Sequence, residues 1–498
     1  MHLVSAVRLL NFATMSALKL CIVASEMMPY AKTGGLADVT GALARQLGSL
    51  GHDVRAFVPL YPAVRDRVTS LRQVEPVTAV GIDIGGQHHE FSLWEESGRW
   101  PGVRVYFVDC PAMFARAALY TADPDEHRRF ILFTRAVLES CQRLQFAPRV
   151  FHVNDWHTAL LPLYLKTAYA WDRLFAASRT ALTIHNIGYQ GEFSAGALPD
   201  LNLGLGVDRL HQHDLRAGRI NPLKTGILLA DAVTTVSPTY ALEICATDLG
   251  MGMQEALASR GGAVTGILNG VDYEEWDPRV DPHLANHFSL ADLRGKMRNK
   301  RRLIERSGLA CEDAAPLVAM VTRLAEQKGI DLLFEALPAI LRERPAGLVV
   351  LGSGEDRYVR FFRDLVAQFR GRVAFHEGYD EPLAHLIEAG GDMFLMPSRY
   401  EPCGLNQMYS LRYGTVPIVR RTGGLADSVQ HFDPQTGMGT GVVFEHYDAP
   451  AVRWALGTAL DWFADQRTWR KLMRNAMAQD FSWQRQVGEY ERLYRSLP

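Results

Sequence analysis

The chain of 498 residues has little of what would mark a secreted, membrane-embedded or nucleic-acid-binding protein. Its six cysteines (Cys21, Cys110, Cys141, Cys245, Cys311 and Cys403) are widely scattered and include no C-x-x-C pair. That spacing fits neither a disulfide framework nor a zinc site and points to a reducing compartment. No uninterrupted apolar stretch is long enough to span a bilayer. Charge of one sign is also lacking: 53 basic residues against 55 acidic ones leave a net −2. Nothing in that balance calls for a nucleic acid or a membrane as partner, so any anion site must be local. No metal-ligand spacing appears; Asp123-Pro-Asp125 has a D-x-D form but stands in a polar loop. The segment Met1–Thr14 is mildly apolar, yet the apolar run after it is better used as a first buried strand than as a signal sequence. Met15 is an alternative start, and the expected location is cytoplasmic.

What is present is ordinary globular material, 48% hydrophobic and 22% charged. The length is too great for one hydrophobic core, so two domains are expected. Short runs rich in Val, Ile, Leu and Phe alternate with helical patterns. They include Leu18–Ser25, Val54–Val58, Val103–Val108, Val150–Val153, Ala181–Ile184 and Ala232–Val236. A second series holds Leu317–Val321, Leu348–Leu351, Val373–His376, Met393–Met396 and Val416–Val419. Continuous rather than alternating apolar strands suit a parallel sheet covered on both faces, and strand–helix alternation implies doubly wound α/β architecture. The turn-rich stretch Asp277–Pro282 is the expected seam. The reading is two Rossmann-like domains, 1–285 and 286–480, with a helical segment 481–498 that closes the second domain or packs back on the first. Ligands of such sheets bind at strand carboxyl ends.

One hexapeptide, Thr-Gly-Gly-Leu-Ala-Asp, occurs twice, at 33–38 after Lys32 and at 422–427 after Arg421. Each copy joins a strand-like run to a helix-like run. Two glycines at a helix start let a ligand approach the backbone, and the free N–H groups attract anions. A single copy reads equally well as a tight turn; two copies, one per half, suggest one anionic ligand shared across a cleft.

Other polar groups follow strands directly. Asp155 stands after the run ending at Val153, and His185 after that ending at Ile184. Either could act by hydrogen bonding or acid–base chemistry, or Asp155 could cap a helix and His185 be an ordinary loop histidine. Arg323 and Lys328 follow the strand at 317–321 and form a clamp suited to two phosphates, a planar fork plus a point charge. Glu401 lies at a bend between Pro397 and Pro402, where a carboxylate can bind sugar hydroxyls, and Gly404 opens the next helix. Cys403 has no base adjacent in sequence and reads as a small buried filler rather than a nucleophile.

These residues resemble the motifs of bacterial and plastid glycogen/starch synthases from about residue 18 to residue 494. Lys32-Thr-Gly-Gly-Leu-Ala-Asp-Val39, Asp155-Trp-His157, His185–Gly191, Leu268-Asn-Gly-Val-Asp272, Glu401-Pro-Cys-Gly-Leu405 and Arg421–Asp427 carry the likeness. It implies a GT-B fold, two Rossmann-like domains around a deep cleft. It also implies retaining transfer of glucose from ADP-glucose to the non-reducing end of an α-1,4-glucan, elongating glycogen without metal or other cofactor. By resemblance Lys32 and Asp38 contact the donor nucleotide or phosphate, and Arg323 and Lys328 hold the pyrophosphate. Asp155, His185, Asn269 and Glu401 line the sugar and acceptor side, and Tyr379 is similar to an adenine-stacking tyrosine. Gly34, Gly35, Cys403, Gly404, Leu405, Thr422, Gly423 and Gly424 complete the expected substrate-binding set. Asn406 stands where the family usually has threonine, and Glu126 replaces an asparagine. Two alternatives stay open at this point: UDP-glucose as donor, and a catalytically silent glucan-binding protein on the same fold.

Overall fold

The computed structural model describes residues 16–261 and 264–498; Met1–Thr14 and the alternative start at Met15 lie outside the described residues. Two sheets carry the chain. The first has ten strands. Its order from one edge is Val264–Gly266, Ala232–Thr235, Arg179–Ile184, Val150–Asn154, Lys19–Val23, Asp53–Pro59, Val103–Asp109, Gln87–Ser97 and Arg72–Gln73. All are parallel as far as Val103–Asp109, after which Gln87–Ser97 adds antiparallel. The second sheet has six parallel strands: Val373–Glu377, Gly347–Gly352, Leu317–Val321, Met393–Met396, Val416–Arg420 and Val442–Phe444.

The expected apolar runs all become strands of the two parallel arrays, Val373–Glu377 at an edge and the others inside. Val150–Asn154 and Gly347–Gly352 are buried at every position, as a sheet covered on both faces requires. The hairpin Val80–Ile84 with Gln87–Ser97 was not anticipated. Val80–Ile84 alternates buried and exposed positions, because this edge has one wet face, and a search for continuous apolar runs passes over it. Its turn is Gly85-Gly86, with φ of +57° and +76°, the left-handed backbone that a two-residue hairpin turn demands.

Chain order reverses once in each sheet, between Lys19–Val23 and Val150–Asn154 and between Leu317–Val321 and Met393–Met396. At these points successive helices leave on opposite faces and open a crevice beyond the strand ends. The residues that follow those four strands hold Glu26, Asp155, Arg323, Lys328 and Glu401.

The last helix, Trp483–Ser496, returns to the first sheet. Trp483, Val487, Tyr490 and Tyr494 belong to that sheet's apolar core, and Val271 N–H donates to the Phe481 carbonyl at 2.7 Å. The Tyr494 hydroxyl lies 2.8 Å from Nδ1 of buried His152, whose Nε2 is 2.6 Å from Thr183 Oγ1. Burial holds that imidazole neutral, with its pKa lowered to about 3. Among the described residues no helix is long and apolar enough to cross a membrane.

Tyr494→Phe leaves one nitrogen of a buried imidazole without a partner. It is expected to cost about 1–3 kcal/mol, read as a lower urea midpoint at unchanged slope.

Candidate active site

In the first domain, the strand Lys19–Val23 leads through Glu26 to the helix Gly35–Ser49. Glu26 is buried and meets the start of that helix. Its carboxylate accepts from Thr33 Oγ1 at 2.8 Å, from Gly34 N–H at 3.2 Å and from Tyr120 O–H at 2.6 Å. Beyond it the turn is open. A Cβ on Gly34 would meet nothing, and one on Gly35 would meet only Leu405 of the second domain, at 3.9 Å. Lys32 pairs with Asp38 at 2.8 Å, and its charge reaches the hydroxyl of Tyr379, which burial raises and Lys32 lowers. Tyr379 itself is 68% exposed and follows Gly378, at φ +108°. The first hexapeptide copy, Tyr379 and Leu405 therefore face one another across the domains.

The second copy is built differently. Gly423, at φ +42°, would place a Cβ 1.9 Å from the Glu401 carbonyl, and Gly424 one 2.1 Å from the Cys403 carbonyl. Its helix start is taken by Glu243 of the first domain, which accepts from Gly423 N–H at 3.0 and 3.1 Å and from Thr422 Oγ1 at 3.0 Å. Asp427 accepts from Thr239 N–H and Oγ1 at 2.8 and 2.7 Å. Thr422, Gly423 and Gly424, expected to bind the donor, here clasp the two domains together. In this structure a carboxylate from across the domains lies on the second helix start, where the first is met by Glu26 of its own domain.

Between the copies lies the Glu401 loop. Glu401 is buried and accepts from Lys328 Nζ at 2.6 Å and Ser398 Oγ at 2.9 Å. Lys328 is held there by Gly329, at φ +68°, where a Cβ would fall 2.0 Å from the Pro397 carbonyl; no other residue fits that turn. Arg323, exposed, donates to Gln327 Oε1 at 3.0 Å and so keeps most of its donors free. Gly404, at φ +67°, turns the chain into the helix Asn406–Tyr413. The Cys403 thiol is pushed up to about 12 by burial and rests against Asn269, so it is no nucleophile at neutral pH. Asn269 Oδ1 is buried without a partner among the described residues. Asn406 Nδ2 donates to the Val321 carbonyl at 2.7 Å, a backbone contact that ties the helix to the neighbouring strand.

On the acceptor side Asp155 does not cap a helix. It takes the left-handed conformation, φ +55°, and its Oδ1 accepts from His185 N–H at 2.7 Å. A left-handed aspartate is strained backbone, of the kind that clusters at functional sites. Burial pushes the Asp155 carboxyl up to about 7 and holds His185 neutral at about 3. His185 Nε2 lies 2.9 Å from Asn154 Oδ1. The Asn154 amide nitrogen donates to Val23 O at 3.1 Å, so Oδ1 accepts and His185 Nε2 carries the proton. Nδ1 is then free to accept from a sugar hydroxyl. Gly188 lies close to the Tyr400 hydroxyl, 3.6 Å from where its Cβ would be. Sequence reasoning missed Glu26 and Glu243, and gave Asn154 and Ser398, which stand in the polar runs after their strands, no role of their own. Of the two missed, only Glu26 carried a signal, as a polar residue just past an apolar strand.

Two doubly wound parallel sheets that meet across a cleft, with their polar loops at the two reversals of strand order, define a GT-B glycosyltransferase. Residues 19–259 match the family model of the starch synthase catalytic domain, and residues 302–476 that of the glycosyl transferases group 1. A glycogen synthase of Koribacter versatilis is 47% identical over 476 residues, covering 95% of this chain and 96% of that protein. One from Anaeromyxobacter dehalogenans is 45% identical, over 96% of this chain and 100% of that protein. The catalytic domain of starch synthase IV from Arabidopsis thaliana, solved with ADP and acarbose, superposes with a TM-score of 0.88 at 36% identity, covering 96% of this chain and 99% of that one. A sucrose-phosphate synthase from Thermosynechococcus elongatus shares the fold at 19% identity and a TM-score of 0.60, covering 96% of this chain and 98% of that one. The chain belongs to the glycogen/starch synthase family and is a glycosyltransferase.

The Asp155 carboxyl titrates near its ordinary value of about 4 in the unfolded chain and at about 7 in the folded one. The folded state therefore binds the extra proton between those values, and stability falls as pH rises through that window. Asp155→Asn keeps the acceptor for His185 N–H and removes the titration. The variant is expected to gain stability relative to the parent on going from about pH 4 to about pH 8, on the order of 4 kcal/mol in total, seen as a higher melting temperature. Thermal unfolding of both proteins across that range checks it; a pH-independent difference goes against the raised carboxyl.

Proposed function

We propose that this glycosyltransferase moves glucose from ADP-glucose to the non-reducing end of an α-1,4-glucan with retention, elongating glycogen. The observation that carries the reading is the grouping of Arg323, Lys328 and Glu401 at one strand-order reversal, opposite the open Gly34–Gly35 turn at the other. The ADP and acarbose in the Arabidopsis structure support the same donor and a glucan-like acceptor for this chain.

In the reaction the bond between glucose C1 and the β-phosphate oxygen breaks, ADP leaves, and C1 bonds to the acceptor hydroxyl oxygen on the same face. The hydroxyl proton passes to the departing phosphate. Positive charge develops on the sugar and negative charge on the leaving oxygen. Lys328 Nζ gives one hydrogen to Glu401 and keeps two for phosphate, and Arg323 offers its fork. Fixed cations aimed at a leaving anion are the largest catalytic contribution in such a site. Lys32 and the helix start at Gly35 add to them from the first domain. Neutral His185 accepts a sugar hydroxyl, Asn269 Oδ1 receives another, and Tyr379 supplies a face for the base.

Hydrolysis through a covalent intermediate would need a pair of free carboxyl groups about 5–5.5 Å apart. Asp155 is tied to His185 N–H and Glu401 to Lys328, so neither is an unengaged nucleophile. Six free cysteines suit a reducing, cytoplasmic setting.

Arg323→Ala is expected to lower kcat by about 10²–10³, measured as label transfer from ADP-[¹⁴C]glucose onto glycogen. Full turnover in that variant would defeat the leaving-group account. A higher kcat/KM with UDP-glucose than with ADP-glucose, measured on the parent, would overturn the donor.

A further inference from the structure

A second cluster of chemistry-bearing groups lies beside the Lys32–Asp38 end of the cleft. It consists of Glu275, in the connection between the two sheets, and Glu381 and His385 on the helix Glu381–Gly390. One ring nitrogen of His385 and one carboxylate oxygen of each glutamate lie within 4.8 Å of one another. Glu381 and His385 stand four residues apart, on one face of the helix.

His385 is fully buried. Its Nδ1 is 2.8 Å from Asp281 Oδ2, and that carboxylate also accepts from the Tyr413 hydroxyl. A carboxylate only accepts, so Nδ1 carries the hydrogen, and in the neutral ring Nε2 presents a lone pair. Nε2 has no hydrogen-bond partner among the described residues. Trp276 stacks on the imidazole at 3.7 Å and 16°, which fixes the plane of the ring. An acceptor nitrogen buried beside two carboxylates is unfavourable unless it takes up a proton or a cation stands among the three.

We propose that Glu275, Glu381 and His385 Nε2 bind one divalent transition cation. One imidazole with two carboxylates suits the Zn²⁺, Co²⁺ and Mn²⁺ class. Asp281 is the outer carboxylate that sets the tautomer of a ligating histidine. Metal–ligand bonds of about 2.0–2.2 Å require the three groups to draw in slightly from their present spacing. Glu275 belongs to the inter-domain connection and the other two to the second domain, so the cation would fasten that connection beside Lys32 and Asp38. It stands apart from the reacting bond and serves structure, not the transfer step.

The test is a Co²⁺ titration of the full-length, chelator-treated protein, followed by visible d–d absorption and by calorimetry. One equivalent is expected to bind. Glu381→Gln, at the outer end of the cluster, and Glu275→Gln are each expected to weaken binding more than about tenfold, at least the loss that accompanies outer-sphere changes. Thermal unfolding of the metal-free variants confirms that they remain folded. Absence of saturable binding, or equal affinity in the Glu275→Gln/Glu381→Gln double variant, overturns the proposal and leaves an imidazolium between two carboxylates as the occupant.

Discussion

The backbone of Gly423 and Gly424 abuts the Glu401–Cys403 loop, and the rest of the cleft depends on that abutment. Gly424 N–H donates to the Glu401 carbonyl at 3.0 Å, and a Cβ at either glycine would collide with a carbonyl oxygen. The loop so fixed holds Glu401 against Lys328 and Ser398, sets Cys403 against Asn269, and points Leu405 toward Gly35. Ser237 of the first domain donates to the Pro402 carbonyl at 2.6 Å, so the same loop is the bearing between the domains. A side chain larger than hydrogen at 423 or 424 would move all of these together, because interiors are packed too closely to absorb the displacement.

The two hexapeptide copies show one local conformation used for two ends. In both, a carboxylate meets the helix start, as the partial positive charge there favours. Glu26 comes from the same domain and leaves Gly34 and Gly35 open to the cleft. Glu243 comes from the other domain and closes the second copy into a clasp. Near-neutral overall charge is consistent with this arrangement, in which cations and anions are placed singly rather than as a field. Lys32, Arg323 and Lys328 each sit close to a polar partner that orients them before any phosphate arrives.

Much of the fold was legible in the sequence because buried parallel strands are written as continuous apolar runs. The strands at 317–321 and 393–396 lie where their apolar runs are. The edge hairpin at 80–97 was not legible in the same way, since its alternating pattern answers to one buried face. In the candidate site, Asp155, His185, Arg323, Lys328 and Glu401 were legible as polar residues directly after strands, and that is where they stand. Their partners were not. Glu243 sits mid-helix with no mark of its own, and its role arises only where two domains meet. Glu381 and His385 carried a readable spacing, four apart, but their third member comes from a distant connection and left no trace in spacing.

The sequence by itself determined the two doubly wound sheets, the family, and which loops bear the polar chemistry, because hydrophobic period and strand ends are local properties. Only the tertiary structure decided that the second Thr-Gly-Gly-Leu-Ala-Asp hydrogen-bonds across the two domains. It also decided that Asp155 binds backbone rather than capping a helix, and that the final helix lies on the first domain. Each of these turns on which distant group fills a buried hydrogen-bonding or apolar position, and that choice is made by packing across the chain rather than along it.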